Sequence, residues 1–488
     1  MLTITDLFAG AGGSSSGAER VPGVRVRIAC NHWALAVETH ATNLPWADHD
    51  VADISQVDPR RYPATDLLWA SPSCTNHSQA RGRRRDDGQP DLFGEILPDD
   101  AGERSRATMW DVPRFVEAMM LRGRPYRAFV VENVVDVRQW MFFPAWKTAL
   151  RAAGYCLHEV FLNSMFAGRL GEPAPQSRDR WYCVGHLAAE QCPDLDRWTR
   201  PAAWCPTCEA TVRAVQAWKR PDRPHGRYRA QYVYRCPNVA CRNTEVHPRV
   251  LPAAVAIDWA LAGVRIGDRV DPLAPATMRR IRDGLARYGS TALLVPAGGT
   301  WNDDARPVTE PMRTRTTRET EGVVFPSLLV PVEGRDGVNA RPATGPMRTQ
   351  TARLQDALVV PLRNNGVARP AGTHPLPTFA AAGQHHMLVS YYGNGSARPV
   401  SEPIATIPTK DRFALVSTSA PAVDDCTFRM LEPSEIKAGM AFTPGYTVLG
   451  NKRERVRQLG NAVTPPAARD LVAALVEAIT GDHIEQTA

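Results

Sequence analysis

The chain has 488 residues, of which 43% are hydrophobic, and it carries a formal net charge of +7. That length allows two or three domains around ordinary globular cores. No run of about 18 apolar residues occurs, so no membrane-spanning helix is expected. The opening MLTITDLFAG lacks the basic segment and long apolar stretch of a secretory leader. The expected setting is the cytoplasm.

Up to about residue 186, strand-like and helix-like stretches alternate. Leu2–Phe8 reads as a short apolar strand that ends in AGAGG. Arg25–Asn31 alternates, and HWALAVETHATNL after it looks helical. Thr65–Ala70, Arg127–Val134 and Arg180–His186 read as further strands, with helices over Met109–Leu121 and Pro144–Ala153. This order predicts a parallel, doubly wound α/β sheet. Ligands of such sheets sit at the carboxyl ends of the strands.

From about 187 to 425 proline and arginine rise and helical periodicity fades. Ala-Arg-Pro recurs at Ala305, Ala340, Ala368 and Ala397, with spacings of 35, 28 and 29 residues. Each copy is followed by PMRT, PMRT, PLPT or PIAT and lies between strand-like runs such as ALLVP and SLLVP. Repeated strand–loop units predict a stacked or sheet-like array, which is a statement about architecture and not about activity. Helical sequence returns in SEIKAGMAF and PAARDLVAALVEAIT, and the final GDHIEQTA is expected to fray.

Five segments carry candidate chemistry. Asp6–Gly13 (DLFAGAGG) closes a strand with glycines that let the backbone turn tightly or approach a ligand. Its spacing is not GxGxxG, and a plain strand-to-helix turn fits it equally well. Cys74 follows Ser71-Pro72-Ser73 at a strand end and precedes RGRRR. Nearby positive charge favours the thiolate that nucleophilic attack requires. Glu132 follows a buried apolar strand, where a carboxyl keeps its proton more easily; a helix-capping acid is the plainer alternative. Arg178 and Arg180 stand two apart on an extended segment and are expected to point the same way. QLGNAV (Gln458–Val463) closes the series.

Taken in order, DLFAGAGG, SPSC, VENV, PQSRDR and QLGNAV resemble the motifs of the DNA cytosine-5 methyltransferase family. The resemblance covers about residues 1–186 and 426–470. It implies a Rossmann-like domain that binds S-adenosylmethionine, with Phe8, Gly10 and Gly12 lining the pocket. Trp33 would flank the adenine, Asp53 and Ile54 would meet its edge, and Asn461 would support the methionine end. The family pattern has a glutamate where this chain has His32, which replaces a two-oxygen grip on the ribose by a single imidazole. Ser73 stands where proline is more usual.

The resemblance also implies catalytic roles for Cys74, Glu132, Arg178 and Arg180. The thiol would add to C6 of a flipped-out cytosine, the acid would assist at N3, and the arginines would hold O2 and the closing loop. The partner would be double-stranded DNA, with the loop from Thr75 to about Met109 meeting phosphates. A monomer is expected, and a cognate restriction endonuclease is an admissible partner.

The middle region adds a metal motif. Cys205, Cys208, Cys236 and Cys241 form C-x2-C and C-x4-C with 27 residues between the pairs. Four thiolates in two knuckles suit a closed tetrahedral structural zinc. Segment 205–250 carries nine Lys/Arg against three Asp/Glu. Arg227–Cys236 alternates, with Tyr228, Tyr232 and Tyr234 on one face and Arg227, Arg229 and Arg235 on the other. It therefore reads as a basic strand leading into the knuckle.

The domains expected are 1–186 (catalytic), 187–260 (zinc ribbon), 261–425 (β-rich, repeat-containing target recognition) and 426–488 (completing the catalytic domain). Two other functions fit the residues: an RNA cytosine-5 methyltransferase, and an inactive zinc-containing DNA-binding protein of the same descent.

Overall fold

Strands whose every side chain is apolar require cover on both faces, and the central sheet has it. The computed structural model describes residues 1–72, 107–261, 263–288, 292–297, 304–314, 321–325, 328–331, 341–342, 356–358, 386–390, 398–399, 413–417 and 423–487. The chain divides into two compact units. The first comprises 1–257, 311–319 and 432–488, the second 258–310 and 320–431.

In the first unit the elements are β1 (Leu2–Leu7), α1 (Gly13–Ala18), β2 (Val24–Asn31), α2 (Ala34–Asn43), β3 (Asp48–Val51), β4 (Leu67–Ala70), α3 (Asp111–Leu121), β5 (Ala128–Asn133), α4 (Phe143–Ala152), β6 (Tyr155–Asn163), β7 (Gln176–Ser177) and β8 (Asp179–Leu187). The seven-stranded sheet has the order β3-β2-β1-β4-β5-β8-β6. β3, β2, β1, β4 and β5 are mutually parallel, and β8 runs antiparallel to both neighbours. The parallel sheet expected from the alternation is thus present, with one reversed strand near its edge.

Successive side chains of β4 and β5 enter opposite layers. Leu67, Trp69, Ala128 and Val130 join one core, together with Ala467, Leu471 and Leu475. Leu68, Ala70, Phe129 and Val131 join the other, together with Phe115 of α3 and Trp146 of α4. Three C-terminal helices belong to this unit: α6 (Pro433–Gly439), α7 (Lys452–Asn461) and α8 (Pro465–Thr480), preceded in the chain by the short α5 (Leu195–Thr199). α8 is seated on α1: a Cβ at Gly17 would lie 2.2 Å from Pro465 O and 2.8 Å from Ala468 Cβ, so only glycine permits that approach.

The end of the chain is docked, contrary to the fraying expected. Ile484 is buried, its N–H donates to Glu477 Oε1 at 2.8 Å, and its carbonyl accepts from Arg197 at 2.9 Å. Thr487 N donates to Arg169 O at 3.0 Å. Apolar Ile484 and the polar contacts to Arg197, Glu477 and the Arg169 carbonyl supply what the short polar sequence hid.

The second unit contains a five-stranded antiparallel sheet of Val264–Arg265, Thr427–Met430, Glu321–Phe325, Leu293–Pro296 and Arg306–Pro307. Helix Pro275–Tyr288 packs on it, with Ile281 and Leu285 in a core with Leu293, Val295 and Phe428. The Ala-Arg-Pro repeat has a constant backbone meaning in three copies. Leu293 pairs with Pro307 and Leu294 with Arg306; Leu328 with Pro342 and Leu329 with Arg341; Met387 with Pro399 and Leu388 with Arg398. In each copy the leading strand pairs with a later strand along its other edge. The expected sheet-like unit is therefore a small three-strand antiparallel motif. The copy at Ala368, with PMRT at 346, PLPT at 375 and PIAT at 403, lies outside the described residues. Among the described residues no helix is long and apolar enough to cross a membrane.

Candidate active site and cysteine cluster

Strand register assembles one edge of the first unit. Leu7 pairs with Cys30 and Ala70, Cys30 with Asp50, and Ala70 with Val131. The residues just beyond these positions therefore collect at the carboxyl ends of β1, β2, β3, β4 and β5. Strand order reverses between β1 and β4, which is where such sheets open a ligand crevice.

At that switch point Phe8, Gly10 and Gly12 all have positive φ (59°, 54° and 83°). A Cβ on Gly12 would meet Tyr446 Oη at 2.4 Å, whereas among the described residues one on Gly10 would come no nearer than 4.0 Å, to Phe8 O. Gly12 is thus a packing requirement, and Gly10 is uncrowded by the described residues. Ala9 N donates to Cys30 O at 3.0 Å and ties the turn to the second strand end.

Behind the turn, Ser14 and Ser15 hydroxyls each donate to Asp6 Oδ2 at 2.6 Å. Burial holds the Asp6 carboxyl up at about 6. Ser15 Oγ also lies 2.9 Å from His40 Nε2, and His40 Nδ1 lies 2.8 Å from His49 Nε2. Burial, then the neighbouring His49, lowers His40 to about 3. This network has no signal in the sequence, because its members are spread from residue 6 to residue 49.

His32 is exposed and Trp33 half-buried. Arg457 covers one face of the Trp33 ring at 4.5 Å from its centroid, leaving at most the other face for a ligand. Asp53 is exposed and accepts from Ser55 N at 3.1 Å, while Ile54 is buried. Asn461 is exposed at the end of α7.

Glu132 is buried at the end of β5, with Arg180 Nε 2.9 Å from its Oε1. The apolar wall inferred from the strand is therefore only part of its surroundings; a guanidinium completes them. Arg178 and Arg180 do not act as the parallel pair expected. Arg180 turns to Glu132, while Arg178 is buried and donates to Ala462 O at 2.9 Å and Gly460 O at 3.4 Å. β8 begins only at Asp179, so strand alternation does not govern residue 178. Asn133 Nδ2 donates to Pro72 O at 3.2 Å, so the chain leaving β4 passes beside the Glu132 strand end. Cys74 and the loop that follows it lie within 73–106, outside the described residues.

Asp179 links this edge to the cysteine region. Its Oδ1 accepts from Tyr228 N at 3.1 Å and Tyr232 Oη at 3.2 Å, and burial raises its carboxyl above the ordinary value. Beyond it are β9 (Ala202–Cys205), β10 (Ala210–Arg213), β11 (Val215–Trp218) and β12 (Tyr232–Arg235). Tyr232 and Tyr234 are buried with Phe166, and the half-buried Trp218 and Tyr228 pack against them. Residues 227–231, however, turn instead of extending the strand. Arg229 has φ 63°, and Arg227 Nη2 is 2.5 Å from Asp136 Oδ2.

The two cysteine knuckles converge. Cys205 and Cys241 sulfurs are 4.0 Å apart, those of Cys208 and Cys236 3.8 Å, and all four lie within 4.8 Å of one another. Zinc–sulfur bonds of about 2.3 Å in a tetrahedron place sulfurs about 3.8 Å apart. The donor set therefore fits a zinc-class ion.

Glycine turns at a switch point are typical of doubly wound α/β domains that take nucleotide-like cofactors. What such a domain does is decided by the residues on that edge. Residues 2–202 match the family model for C-5 cytosine-specific DNA methylase. Type II methyltransferase M1.ScrFI of Lactococcus lactis subsp. cremoris is 28% identical over 182 residues, 37% of this chain and 40% of the relative. Type II methylase M.HgiEI of Herpetosiphon aurantiacus is 31% identical over 185 residues, 37% of this chain and 36% of the relative. Type II methyltransferase M.NlaX of Neisseria lactamica is 29% identical over 191 residues, 38% of this chain and 53% of the relative. The matches thus span about half or less of these relatives. Among solved structures, the S. pombe Dnmt2 methyltransferase aligns over 98% of each chain, with 12% identity and a TM-score of 0.47.

Proposed function

We propose that the chain transfers a methyl group from S-adenosylmethionine to C5 of a cytosine flipped out of double-stranded DNA. The observation that carries this reading is the juxtaposition of three strand ends. The glycine turn after β1, Pro72 beyond β4 and the Glu132–Arg180 pair on β5 and β8 share one edge.

Phe8, Gly10, Gly12, His32, Trp33, Asp53, Ile54 and Asn461 would hold the cofactor, and the turn at Gly10, uncrowded by the described residues, supports the fit. Bound there, S-adenosylmethionine supplies a sulfonium methyl that an electron-rich carbon takes. The chain's own residues create that carbon. Cys74 thiolate adds its electron pair to C6, the C5–C6 pair shifts to C5, and a proton shared between Glu132 and N3 stabilises the charge that this addition creates. Once C5 carries the methyl, the proton held at N3 returns to Glu132, water takes the proton from C5, and the freed C–H electron pair re-forms the C5–C6 double bond and expels Cys74 as thiolate. Splitting one hard step into two easier ones is the benefit of covalent catalysis. Arg180, 2.9 Å from Glu132, would keep that carboxyl aimed at the base and would itself meet O2. Arg178 acts as a positioning residue for the Gly460–Ala462 segment.

Residues 1–186 and 426–488 would form the catalytic domain, 187–260 a zinc ribbon held by Cys205, Cys208, Cys236 and Cys241, and 261–425 the target-recognition region. Bisulfite sequencing of DNA from a host without cytosine methylation, expressing this chain, tests the reading. Methylated cytosine in one sequence context is expected. Unmethylated DNA from a host making folded protein would overturn it.

A further inference from the structure

A second cluster of metal-ligating side chains lies on the same sheet, and no step of the proposed reaction uses it. In the β6–β8 pair, Cys156 faces His186 and His158 faces Val184. His158 and His186 are therefore diagonal neighbours on one face of the sheet. Their rings stack at 5.3 Å between centroids and 11° between planes, and their Nε2 atoms are 3.2 Å apart. Cys192 Sγ, from the segment after β8, is 3.7 Å from His158 Nε2. All three ligand atoms lie within 4.8 Å of one another.

We propose that His158, His186 and Cys192 bind a zinc-class divalent cation. A tetrahedral ion with metal–nitrogen bonds of about 2.05 Å and a metal–sulfur bond of about 2.3 Å separates two nitrogens by about 3.3 Å, and nitrogen from sulfur by about 3.6 Å. Both separations agree with the observed ones to within about 0.1 Å. His186 is also set up as a ligand on its other side. Its Nδ1 lies 3.0 Å from Leu187 O, so Nδ1 carries the proton and Nε2 presents its lone pair. A hydrogen bond between the two imidazoles alone would give no reason for a thiol at the same point. Two imidazoles and a thiolate select zinc over magnesium or calcium, which require oxygen ligands. The nearby Glu190 is engaged by Arg127 at 2.6 Å, and Glu159 by Lys147 at 2.7 Å. The fourth position is left to water, since Cys192 is exposed.

The location defines the role. His186 pairs with Ala128, the first residue of β5, whereas Glu132 stands near the other end of that strand. The ion is therefore remote from the reacting edge and is structural. It fastens the segment between β8 and α5 to the sheet.

The test uses the full chain, stripped with chelator and dialysed against micromolar zinc, with metal content measured. Wild type should hold two equivalents. Cys192→Ser, an exposed and isosteric change, and His186→Gln should each hold one. Cys205→Ser/Cys208→Ser should lose one and keep the other, so failure of the four-cysteine reading is distinguishable from failure of this one. Zinc should raise the Tm of Cys205→Ser/Cys208→Ser but not that of the same protein carrying Cys192→Ser. Two equivalents in Cys192→Ser, or an equal zinc-induced Tm rise in both of those variants, would overturn the proposal.

Discussion

At the scale of single residues, the central pair is Glu132 with Arg180, 2.9 Å apart and each with a side chain only 11% exposed. Removing one member of a buried ion pair strands the other, at a cost of about 3 kcal/mol. Arg180→Ala is expected to destabilise the fold by that order, and adding Glu132→Gln should recover a substantial part. Urea denaturation of the four proteins in the cycle measures the coupling. A second prediction concerns Asp6. Its folded pKa, about 6, lies above the unfolded value of about 3.9, so the stability it contributes is complete below pH 4 and is lost as pH rises towards 6. The fall is roughly 3 kcal/mol for a shift of that size. Asp6→Asn should flatten the stability profile between pH 4 and 6, and an unchanged profile would count against the assignment. Glu132, Arg178 and Arg180 were legible as candidates from their motifs. The partner of Arg178 was not, because Gly460 and Ala462 are 282 and 284 residues away in sequence.

At the scale of elements, apolar runs flanked by turn residues located five of the seven sheet strands. β3 escaped because Asp-His-Asp-Val is mostly polar, and β6 because His158 and Glu159 interrupt its apolar pattern. The turn at 227–231 escaped because alternation alone cannot register a left-handed residue such as Arg229. The docked tail is the element with the clearest energetic consequence. Deleting residues 482–488 uncovers the surface under Ile484 and releases Arg197 and Arg169 from Ile484 O and Thr487 N. A loss of about 2 kcal/mol is expected from the isoleucine alone. Thermal melts of the truncated and full chains check it, and equal Tm values would show the tail to be dispensable.

At the scale of the whole molecule, strand–helix alternation defined the α/β class, because a doubly covered sheet writes continuous apolar strands into the sequence. The repeats announced their period, and the pairing of each Arg-Pro with the strand before it emerged only from three-dimensional register. The proposed reaction requires Cys74 to bond to C6 of the target base. Duplex DNA with 5-fluorocytosine at the methylated position, incubated with the chain and S-adenosylmethionine, tests it most directly, since fluorine cannot leave C5 as the proton does. The expected result is a complex with wild type that survives denaturing electrophoresis and is absent with Cys74→Ser. Trapping by the serine variant, or none by wild-type protein that methylates the normal duplex, would contradict it.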